Sequence, residues 1–404
     1  MRTRYGTSPW IHEFSGRRTD TARFRGDRTA DVVIVGGGLT GCAVAYACAA
    51  AGLETVLLES DRIGYGSAGR SAGLLTPEPG PSFRDVAAAH GLRAARRVFD
   101  AWRRGALDGS ALLRRLKIRC DLQPQESYLV GARDDEKPLR REYDGRPEGG
   151  LDLAWVTQKQ VEKTLKLNGA AALRTRDGFT LDPYRACVGL ASASARRGAE
   201  IFERSRVKKV RFTRKDVDIV ADGGTIRAGH VVVTTGSASA EFKALQRHFT
   251  RREMYLVMTE SIPAPIRRQL CRPGTMLRDT RTPPHRLRWA HGDRLLFAGA
   301  DQQETPARLR NAVLVQRTGQ LMYELLTMYP DISGLQPEWG WDASYGETAD
   351  GLMYIGAHRN YPHHVFALGG GRDSVTGAFV AARIAVRAIQ GSADKADEVF
   401  GWTR

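Results

Sequence analysis

The stretch DVVIVGGGLTGCAVAYACAAAGLETVLLES, from Asp31 to Ser60, carries the pattern that decides the fold of this 404-residue chain. It opens with the short β-branched run VVIV at residues 32–35, which predicts a buried parallel strand. After three glycines comes an Ala-rich segment that predicts a closely packed helix ending at Gly52, and ETVLLES then predicts a second strand. These elements make one βαβ unit, so the stretch predicts an α/β fold.

Within this unit, Gly36, Gly38 and Gly41 match the spacing G-x-G-x-x-G. The first glycine of such a motif permits a tight turn, the second lets the backbone approach a pyrophosphate, and the third lets helix and strand pack closely. Glu59 ends the second strand, where its carboxylate can accept both hydroxyls of an adenosine ribose. The motif predicts a dinucleotide site rather than a tight turn without a ligand, and a carboxylate at Glu59 disfavours NADP.

Three later segments favour FAD over NAD as the dinucleotide. Residues 60–75, SDRIGYGSAGRSAGLL, are rich in glycine and serine and predict a loop that passes close beneath a flat ligand. Residues 200–239 predict successive strands with a turn at Asp222–Gly224, the last strand ending at Gly236. Residues 363–391 repeat the order of strand, glycines and helix, which brings a second helix N-terminus to the site.

Composition limits the partners and the location. The net charge is +16, but the basic residues are scattered without a long run, so we expect no nucleic-acid partner. The five cysteines form no C-x-x-C pair and no cluster at metal spacing, which predicts a reduced, cytoplasmic protein with no metal site. We expect neither a membrane span nor export. The first thirty residues predict an irregular arm whose Trp10, Ile11 and Phe14 pack back on the body.

The chain resembles the FAD-dependent amino acid and amine oxidoreductases, which include D-amino acid oxidase, glycine oxidase, sarcosine oxidase and the γ-glutamylputrescine oxidase group. The resemblance covers nearly the whole chain and rests on the order of its motifs, among them GSAGRSAG, VVVTTGS, LLFAGAD and ETADGLMYIG. It implies a Rossmann-like FAD-binding domain of the glutathione-reductase type with an inserted antiparallel-sheet substrate domain. The implied division is an arm at 1–30, an FAD-binding domain at 31–110, 180–250 and 345–404, and a substrate domain at 111–179 and 251–344.

No histidine or cysteine occurs in residues 66–80, GSAGRSAGLLTPEPG, so we expect FAD to be bound non-covalently. The N–H groups of residues 371–376 would face the flavin N1–C2=O edge, where a helix dipole favours acceptance of a hydride. The serines also have an ordinary alternative role as turn residues. The residues implied to contact the cofactor are Gly36, Gly38, Gly41, Glu59, Ser60, Arg62, Ser67, Ser71, Ala72, Val207, Thr235, Gly236, Gly371, Arg372, Asp373, Ser374, Val375 and Thr376.

Two departures from the family pattern affect the expected chemistry. Arg372, Asp373 and Ser374 stand where relatives often have Gly-His-Gly, and we expect Arg372 to pair with Asp373 or with substrate, or else to form a surface salt bridge. Phe297 stands near the position of the lysine that activates oxygen in sarcosine oxidases. The electron acceptor is therefore left open between O2 and another acceptor.

The implied reaction is hydride transfer to flavin N5 from a carbon next to nitrogen in a small amine or amino acid. Arg278, Arg281, Arg286 and Arg288 are candidates to anchor a substrate carboxylate, and strand alternation places the last two on one face. The predicted catalytic residues are Arg288, Tyr255, His285 and Arg372. A 2-hydroxy acid dehydrogenase, a flavin-dependent RNA-modifying protein and a flavin protein without catalysis remain alternatives, and the substrate and the oligomeric state stay open.

Three further segments have simpler interpretations. Trp339, Trp341 and Tyr345 form either an aromatic cage for a cationic amine or part of the core. Residues 83–118 predict one or two amphipathic helices that pack across the sheet. Residues 133–150, RDDEKPLRREYDGRPEGG, predict a solvated loop.

Overall fold

The structure is a computed structural model that describes residues 2–16, 21–132, 135–147, 153–169 and 171–404. Its strands form two sheets, one of eight strands and one of ten. Within the described part, no helix has both the length and the apolar character needed to cross a membrane.

The strands, in chain order, are β1 (Arg4–Tyr5), β2 (Arg28–Val35), β3 (Thr55–Leu58), β4 (Leu74–Leu75), β5 (Gln123–Val130), β6 (Leu153–Val156), β7 (Ala172–Thr180), β8 (Glu200–Phe202), β9 (Val207–Phe212), β10 (Val217–Ala221), β11 (Gly224–Gly236), β12 (Thr250–Thr259), β13 (Thr275–Asp279), β14 (Arg286–Ala290), β15 (Arg294–Gln303), β16 (Pro337–Glu347), β17 (Tyr354–His358) and β18 (Tyr361–Leu368).

The α-helices are α1 (Pro9–His12), α2 (Leu39–Ala50), α3 (Phe83–His90), α4 (Leu92–Arg115), α5 (Glu136–Gly145), α6 (Gln158–Leu165), α7 (Pro183–Ala195), α8 (Lys243–Gln246), α9 (Ala264–Arg267), α10 (Arg310–Met328) and α11 (Ser374–Ile389).

The eight-stranded sheet is built around the predicted βαβ unit. Its central strands β18, β11, β2, β3 and β8 are parallel neighbours in that order, while β17 pairs antiparallel with β18 and β9 and β10 extend β11 as a meander. Val32 and Ile34 pack against helices α2, α7 and α11, and Val33 packs on the opposite face with residues of β10 and β11. Burial on both faces explains the continuous apolar run of β2.

The ten-stranded sheet runs in the order β1, β16, β12, β15, β14, β13, β5, β7 and β4, with β6 also on β7. Helix α10 packs on one face, where Leu314, Leu321 and Leu325 contact apolar side chains of the strands. The other face packs against the arm and the loop before β4, including Trp10 and Ala72. Strand alternation therefore decides which side chains face the rest of the molecule and which face α10.

The first thirty residues are more regular than the predicted irregular arm. β1 adds to the edge of the ten-stranded sheet beside β16, and α1 begins after Ser8, whose hydroxyl accepts the N–H of Ile11 at 3.4 Å. Trp10 is buried, which confirms that the arm packs back on the body. Residues 17–20 of the arm lie outside the described part of the chain.

The prediction of a solvated loop at 133–150 was wrong for its central part, which forms α5. Leu139 is buried on one face of this helix, and Glu142 and Arg146 are buried too, joined at 2.8 Å between Oε1 and Nε. Pro138 falls in the first turn, where a missing N–H costs no helical hydrogen bond. Some of the charged residues that suggested a solvated loop therefore form a buried ion pair. A count of charged residues does not distinguish buried ion pairs from solvated charges.

Candidate active site

Of the three glycines in the G-x-G-x-x-G spacing between β2 and α2, packing requires two and the third opens outward. Gly36 has φ +110°, and a Cβ there would lie 3.0 Å from the carbonyl oxygen of Thr234. A Cβ on Gly41 would lie 1.8 Å from the carbonyl oxygen of Gly36, so the helix can approach the strand only with glycine at this position. A Cβ on Gly38 would meet no atom within 4 Å. Gly38, the N-cap of α2, therefore faces open space.

Glu59 lies directly beside this turn. Its carboxylate accepts the N–H of Gly37 at 2.6 Å and the N–H of Asp61 at 2.7 Å, and it also accepts the hydroxyl of Ser60 at 3.1 Å. These bonds fix the carboxylate beside the turn, because the turn donates the N–H of Gly37 and the loop after β3 donates the N–H of Asp61. A carboxylate has about four acceptor sites, so Glu59 keeps capacity for a ribose hydroxyl.

Besides Ser60, the loop at 60–75 holds four predicted cofactor residues, which lie in different environments. Arg62 lies over the ring of Tyr65, with Cζ 5.4 Å from the ring centroid. Ser67 precedes a short 3₁₀ turn at residues 68–70 and lines the cleft described below. Ser71 and Ala72 are buried, and the hydroxyl of Ser71 accepts an N–H from within the loop at 3.2 Å. Ser71 thus has the turn role that the sequence left as its alternative.

Val207, Thr235 and Gly236 come from the strands next to this loop. Val207 begins β9, and just before it the N–H of Ser205 donates to the carbonyl of Glu59 at 2.8 Å. Thr235 and Gly236 end β11. Gly236 has φ +78°, and a Cβ there would meet nothing within 4 Å. The carboxyl end of β11 thus opens toward free space, as the glycine turn does.

The second helix N-terminus is where the sequence predicted it. Gly371 has φ +57° and open space in its Cβ direction, and α11 begins three residues later at Ser374. Val375 and Thr376 are buried in the first turn of α11. Asp373 was predicted to contact the cofactor, and its side chain lies outside the described part of the structure.

A cleft of about 330 Å³ is lined by residues of both sheets. It collects predicted cofactor residues from the loop at 60–75, the end of β11 and the start of α11, and it adds residues of the ten-stranded sheet. The residues that line it are Ser67, Thr235, Gly236, Ser237, Gly370, Gly371 and Ser374 on the first side, and Arg251, Glu304, Ser344, Tyr345 and Gly346 on the second.

Arg372 forms an ion pair beside this cleft, and its partner is Asp301 of β15. Arg372 Nε donates to Asp301 Oδ2 at 2.6 Å, and the hydroxyl of Tyr345 donates to the same oxygen at 2.6 Å. Burial alone would lower the pKa of Arg372, but the charge of Asp301 outweighs it and raises that pKa. Burial, with the charge of Asp301 adding to it, raises the pKa of Tyr345. Asp301 is therefore the partner that balances the charge of Arg372, and neither a surface salt bridge nor a bound substrate is needed for that purpose.

Arg288 is on the face that strand alternation predicted, but its donors are engaged. Nη1 donates to the backbone carbonyls of Ala72, Gly73 and Leu181 at 3.0, 2.8 and 2.9 Å, and Nε donates to that of Trp289 at 3.2 Å. Burial lowers the pKa of Arg288 to about 10. Its contacts are those of a residue that fixes backbone.

Tyr255 and His285 lie on the α10 side of the ten-stranded sheet. The hydroxyl of Tyr255 donates to Glu253 Oε2 at 3.0 Å and also bonds Thr305, and burial raises its pKa to about 12. His285 Nδ1 lies 2.7 Å from Asp279 Oδ2, and its Nε2 is bonded on the other side to a carboxylate of α10. The structure does not bring these two residues together with Arg288 or Arg372.

Two arginines line a smaller cavity on the opposite face. Arg278 and Arg286 are register partners in β13 and β14, and both border a space of about 30 Å³ together with Thr76 and Glu78. The carbonyl of Thr76 accepts the hydroxyl of Thr376 at 2.9 Å, which ties this cavity to the first turn of α11. The cavity thus lies next to the second helix N-terminus.

Trp339, Trp341 and Tyr345 do not form an aromatic cage, and Phe297 is not beside the cleft. Trp339 and Trp341 are buried in the core between the arm and β16, and only Tyr345 lines the cleft. Phe297 stacks on His285 on the α10 side, with ring centroids 4.8 Å apart. It therefore points away from the cleft. Sequence reasoning missed Asp301, although the motif LLFAGAD that ends in it was noted.

The residues present fit a bound FAD. Gly38, Gly236 and Gly371 all have open space where a Cβ would stand, as the close approach of a phosphate or a ring requires. Neither α2 nor α11 has an acidic residue in its first turn, so no carboxylate of that turn competes with a ligand for the N–H groups at the positive end of the helix dipole. Glu59 lies beside the N-terminus of α2, where its carboxylate could accept a ribose hydroxyl.

Known proteins are similar to this chain in sequence and in fold. The chain is 23% identical over 379 residues to γ-glutamylputrescine oxidoreductase of Escherichia coli (strain K12), covering 91% of this chain and 85% of that protein. Glycine oxidase from Geobacillus kaustophilus superposes with a TM-score of 0.78 at 21% identity, over 93% of this chain and 99% of that one. L-α-glycerophosphate oxidase from Mycoplasma pneumoniae with FAD bound gives a TM-score of 0.71 at 16% identity, over 90% and 96% of the two chains.

The family model described as FAD-dependent oxidoreductase (DAO) matches residues 31–388, which is most of the chain. The match begins at the glycine-turn unit and ends in α11, so it includes the N-terminus of α2 and the N-terminus of α11 that lines the cleft. The protein is therefore an enzyme of the FAD-dependent oxidoreductase (DAO) family, and its cofactor is FAD.

Proposed function

We propose that the enzyme oxidises a carbon–nitrogen bond of an amine or an amino acid. The observation that carries this proposal is the cleft in which open glycines of the eight-stranded sheet meet polar side chains of the ten-stranded sheet. The names of two similar proteins, γ-glutamylputrescine oxidoreductase and glycine oxidase, support nitrogen-containing substrates. Free thiols at all five cysteines support a reducing, cytoplasmic location.

The two sheets support a division of the chain into a cofactor domain and a substrate domain. In this proposal the eight-stranded sheet belongs to a Rossmann-like FAD-binding domain of the glutathione-reductase type, and the ten-stranded sheet is the core of an inserted substrate domain. The approximate limits of the two domains are those expected from the sequence, with two exceptions, β1 and β4. β1 lies in the expected arm and pairs with β16 of the ten-stranded sheet. β4 belongs to the ten-stranded sheet through its pairing with β7, although residues 74–75 fall in the expected FAD-binding range.

When bound, FAD supplies a ring that accepts a hydride from the carbon next to the substrate nitrogen. The N–H groups at Gly38 and the dipole of α2 would hold the pyrophosphate, and Glu59 the ribose. The loop at 60–75 would lie along the flavin ring, with the start of α11 at its N1–C2=O edge. There the positive end of the α11 dipole favours the negative charge gained on reduction.

For the substrate carboxylate we propose Arg286, supported by Arg278, as the anchor. Both arginines border the cavity beside the first turn of α11, and with Glu78 they give its wall two positive charges against one negative charge, a balance that favours an anionic group. Arg288 is assigned a positioning role instead, because its Nε and Nη1 bind four backbone carbonyls. Tyr255 and His285 are assigned structural roles on the α10 side of the sheet.

An anaerobic titration of the purified holoenzyme tests the reaction. Amino acids, polyamines and 2-hydroxy acids are added in turn while the oxidised flavin absorbance is followed. Bleaching by an amine or amino acid is the expected result, and readmitting air then separates an oxidase from a dehydrogenase. Bleaching by 2-hydroxy acids alone would overturn the proposal.

The anchor is tested with Arg286→Gln, using Arg268→Gln at an exposed position as the matched control. We expect Arg286→Gln to raise KM at least tenfold for a carboxylate-bearing substrate, because a charge-assisted bond contributes about 1.5–3 kcal/mol. An amine without a carboxylate should show little change. Equal effects on both substrates would remove Arg286 as the anchor.

A further inference from the structure

Five consecutive backbone carbonyls, those of residues 69–73, each accept a hydrogen bond from a side chain of another segment. We name these residues the clamped segment. The donors are Ser8 Oγ to residue 69, Trp341 Nε1 to residue 70 at 2.8 Å, Trp10 Nε1 to residue 71 at 3.0 Å, and Arg288 Nη1 to residues 72 and 73 at 3.0 and 2.8 Å. The donors belong to the arm, β16 and β14, so the carbonyls are held toward the arm and the ten-stranded sheet.

The clamp leaves the backbone little freedom. Because the peptide group is planar and trans, fixing a carbonyl also fixes the N–H on the other side of the same bond. Gly73 adds a steric lock, since a Cβ there would lie 2.2 Å from the carbonyl oxygen of Leu181 and 2.8 Å from Arg288 Nη1. With their oxygens engaged, these peptide groups do not present their negative dipole ends to a ligand lying against the segment.

The arm supplies two of the four donors, although it precedes the residues that match the family, which start at 31. Ser8 is fully buried, and its hydroxyl both caps α1 and donates to the clamped segment. Trp10 is buried as well, with Arg288 Cζ 5.1 Å from its ring centroid. The pairing of Arg4 with Trp339 in β1 and β16 fastens the arm to the ten-stranded sheet.

We propose that the N-terminal arm helps to position the backbone of the cofactor site. Ser8 and Trp10, together with Arg288 and Trp341, are positioning residues that keep the carbonyls of the clamped segment turned away from the flavin ring. This inference rests on the proposed function, which places the loop at 60–75 along that ring. Without the Trp10 N–H, the carbonyl of Ser71 is free to turn, and a carbonyl dipole facing the ring disfavours both binding and the added negative charge of reduction.

The test compares Trp10→Phe and Trp289→Phe in the full-length protein. The matched control Trp289 is also buried in this region of the molecule and donates to a backbone carbonyl, that of Cys271 at 2.8 Å, but it lies on the α10 side of β14. Three quantities are measured: the FAD dissociation constant by fluorescence titration, the flavin midpoint potential by dye equilibration, and the urea midpoint of the apoprotein. Ser8→Ala serves as the second arm variant in case Trp10→Phe fails to fold.

We expect Trp10→Phe to raise the FAD dissociation constant about fivefold to tenfold, the effect of one lost buried hydrogen bond, and to make the midpoint potential more negative. Trp289→Phe should lower the urea midpoint and leave both flavin properties within about twofold of the unaltered protein. If the arm variants change only the urea midpoint, as the control does, the arm is merely packing. If they change the flavin properties while no amine bleaches the flavin, the arm proposal stands and the proposed substrate class fails.

Discussion

Asp301 and Arg372 form an ion pair that joins the two sheets, with Oδ2 of the carboxylate 2.6 Å from Nε of the guanidinium. Asp301 ends up on β15 of the ten-stranded sheet, while Arg372 lies in the turn between β18 and α11 of the eight-stranded sheet. The Asp301 side chain is 1% exposed and that of Arg372 is 18% exposed. The pair therefore sets how the start of α11 meets the wall of the cleft that contains Tyr345.

Replacing Asp301 with Asn is expected to destabilise the protein by about 2–4 kcal/mol, because it leaves a largely buried guanidinium without its countercharge. Tyr345→Phe removes one hydrogen bond to the same oxygen and should cost only about 1 kcal/mol. Urea unfolding of both variants at pH 7 measures the difference. Equal losses of unfolding free energy in the two variants would mean that the negative charge of Asp301 contributes little to stability.

Gly41→Ala is expected to weaken FAD binding by at least tenfold. A Cβ at this position would lie 1.8 Å from the carbonyl oxygen of Gly36, so the turn that carries Gly38 must move. Gly319→Ala on α10 is the matched control, since a Cβ there meets nothing within 4 Å and alanine favours a helix by about 1 kcal/mol. Fluorescence titration with FAD compares the two, and unchanged affinity in Gly41→Ala would show that the turn tolerates a shift.

The sequence was sufficient where a local pattern determines the structure. The spacing of Gly36, Gly38 and Gly41 predicted a tight turn at the first glycine, an accessible backbone at the second and close packing of helix on strand at the third. In the structure Gly36 has φ +110°, Gly38 faces open space and Gly41 has no room for a Cβ. The second helix N-terminus at Ser374 was likewise visible as a strand, glycines and a helix in order. Such signals are short-range in the sequence, because the strand, the turn and the start of the helix follow one another directly and the closest contact of Gly41 is with Gly36.

The sequence was not sufficient where partners come from distant segments. Arg372 was expected to pair with its neighbour or with substrate, but its carboxylate partner lies 71 positions earlier in the chain. Tyr255 and His285 looked suitable for catalysis by residue type, but the strand register turns them toward α10. Register depends on which strands become neighbours, and no spacing rule within one segment contains that information.

Arg146→Met is expected to destabilise the protein by about 3–5 kcal/mol. Arg146 is 1% exposed and binds both Glu142 and Glu78, whose charges outweigh its burial and raise its pKa. Removing the guanidinium leaves two carboxylates without their cation in a buried space. Arg140→Met is the control on the same helix, because Arg140 pairs with Asp144 at an exposed position and should change stability by less than about 0.5 kcal/mol. Urea midpoints at pH 7 distinguish these outcomes.

His285 is expected to make the stability of the protein depend on pH above neutrality. Burial alone would lower the pKa of His285, but its bonds and ion pairs with Asp279 and Glu324 outweigh burial and raise that pKa. A histidine whose folded pKa exceeds its unfolded value of about 6.5 contributes stability that is fully present below that pH. The contribution is lost as the pH rises through the folded pKa, because the folded state must then release the proton that the two carboxylates hold.

The urea midpoint should therefore fall between pH 6 and pH 9 in the unaltered protein, and fall less in His285→Asn. The variant is expected to be less stable at both values, since Asp279 and Glu324 then face each other without a cation, so the informative quantity is the change with pH. His291→Asn, at an exposed position on the adjacent turn, should keep the full pH dependence. If His285→Asn shows the same fall as the unaltered protein, the proton is held elsewhere and the imidazole is neutral in the folded state across this range.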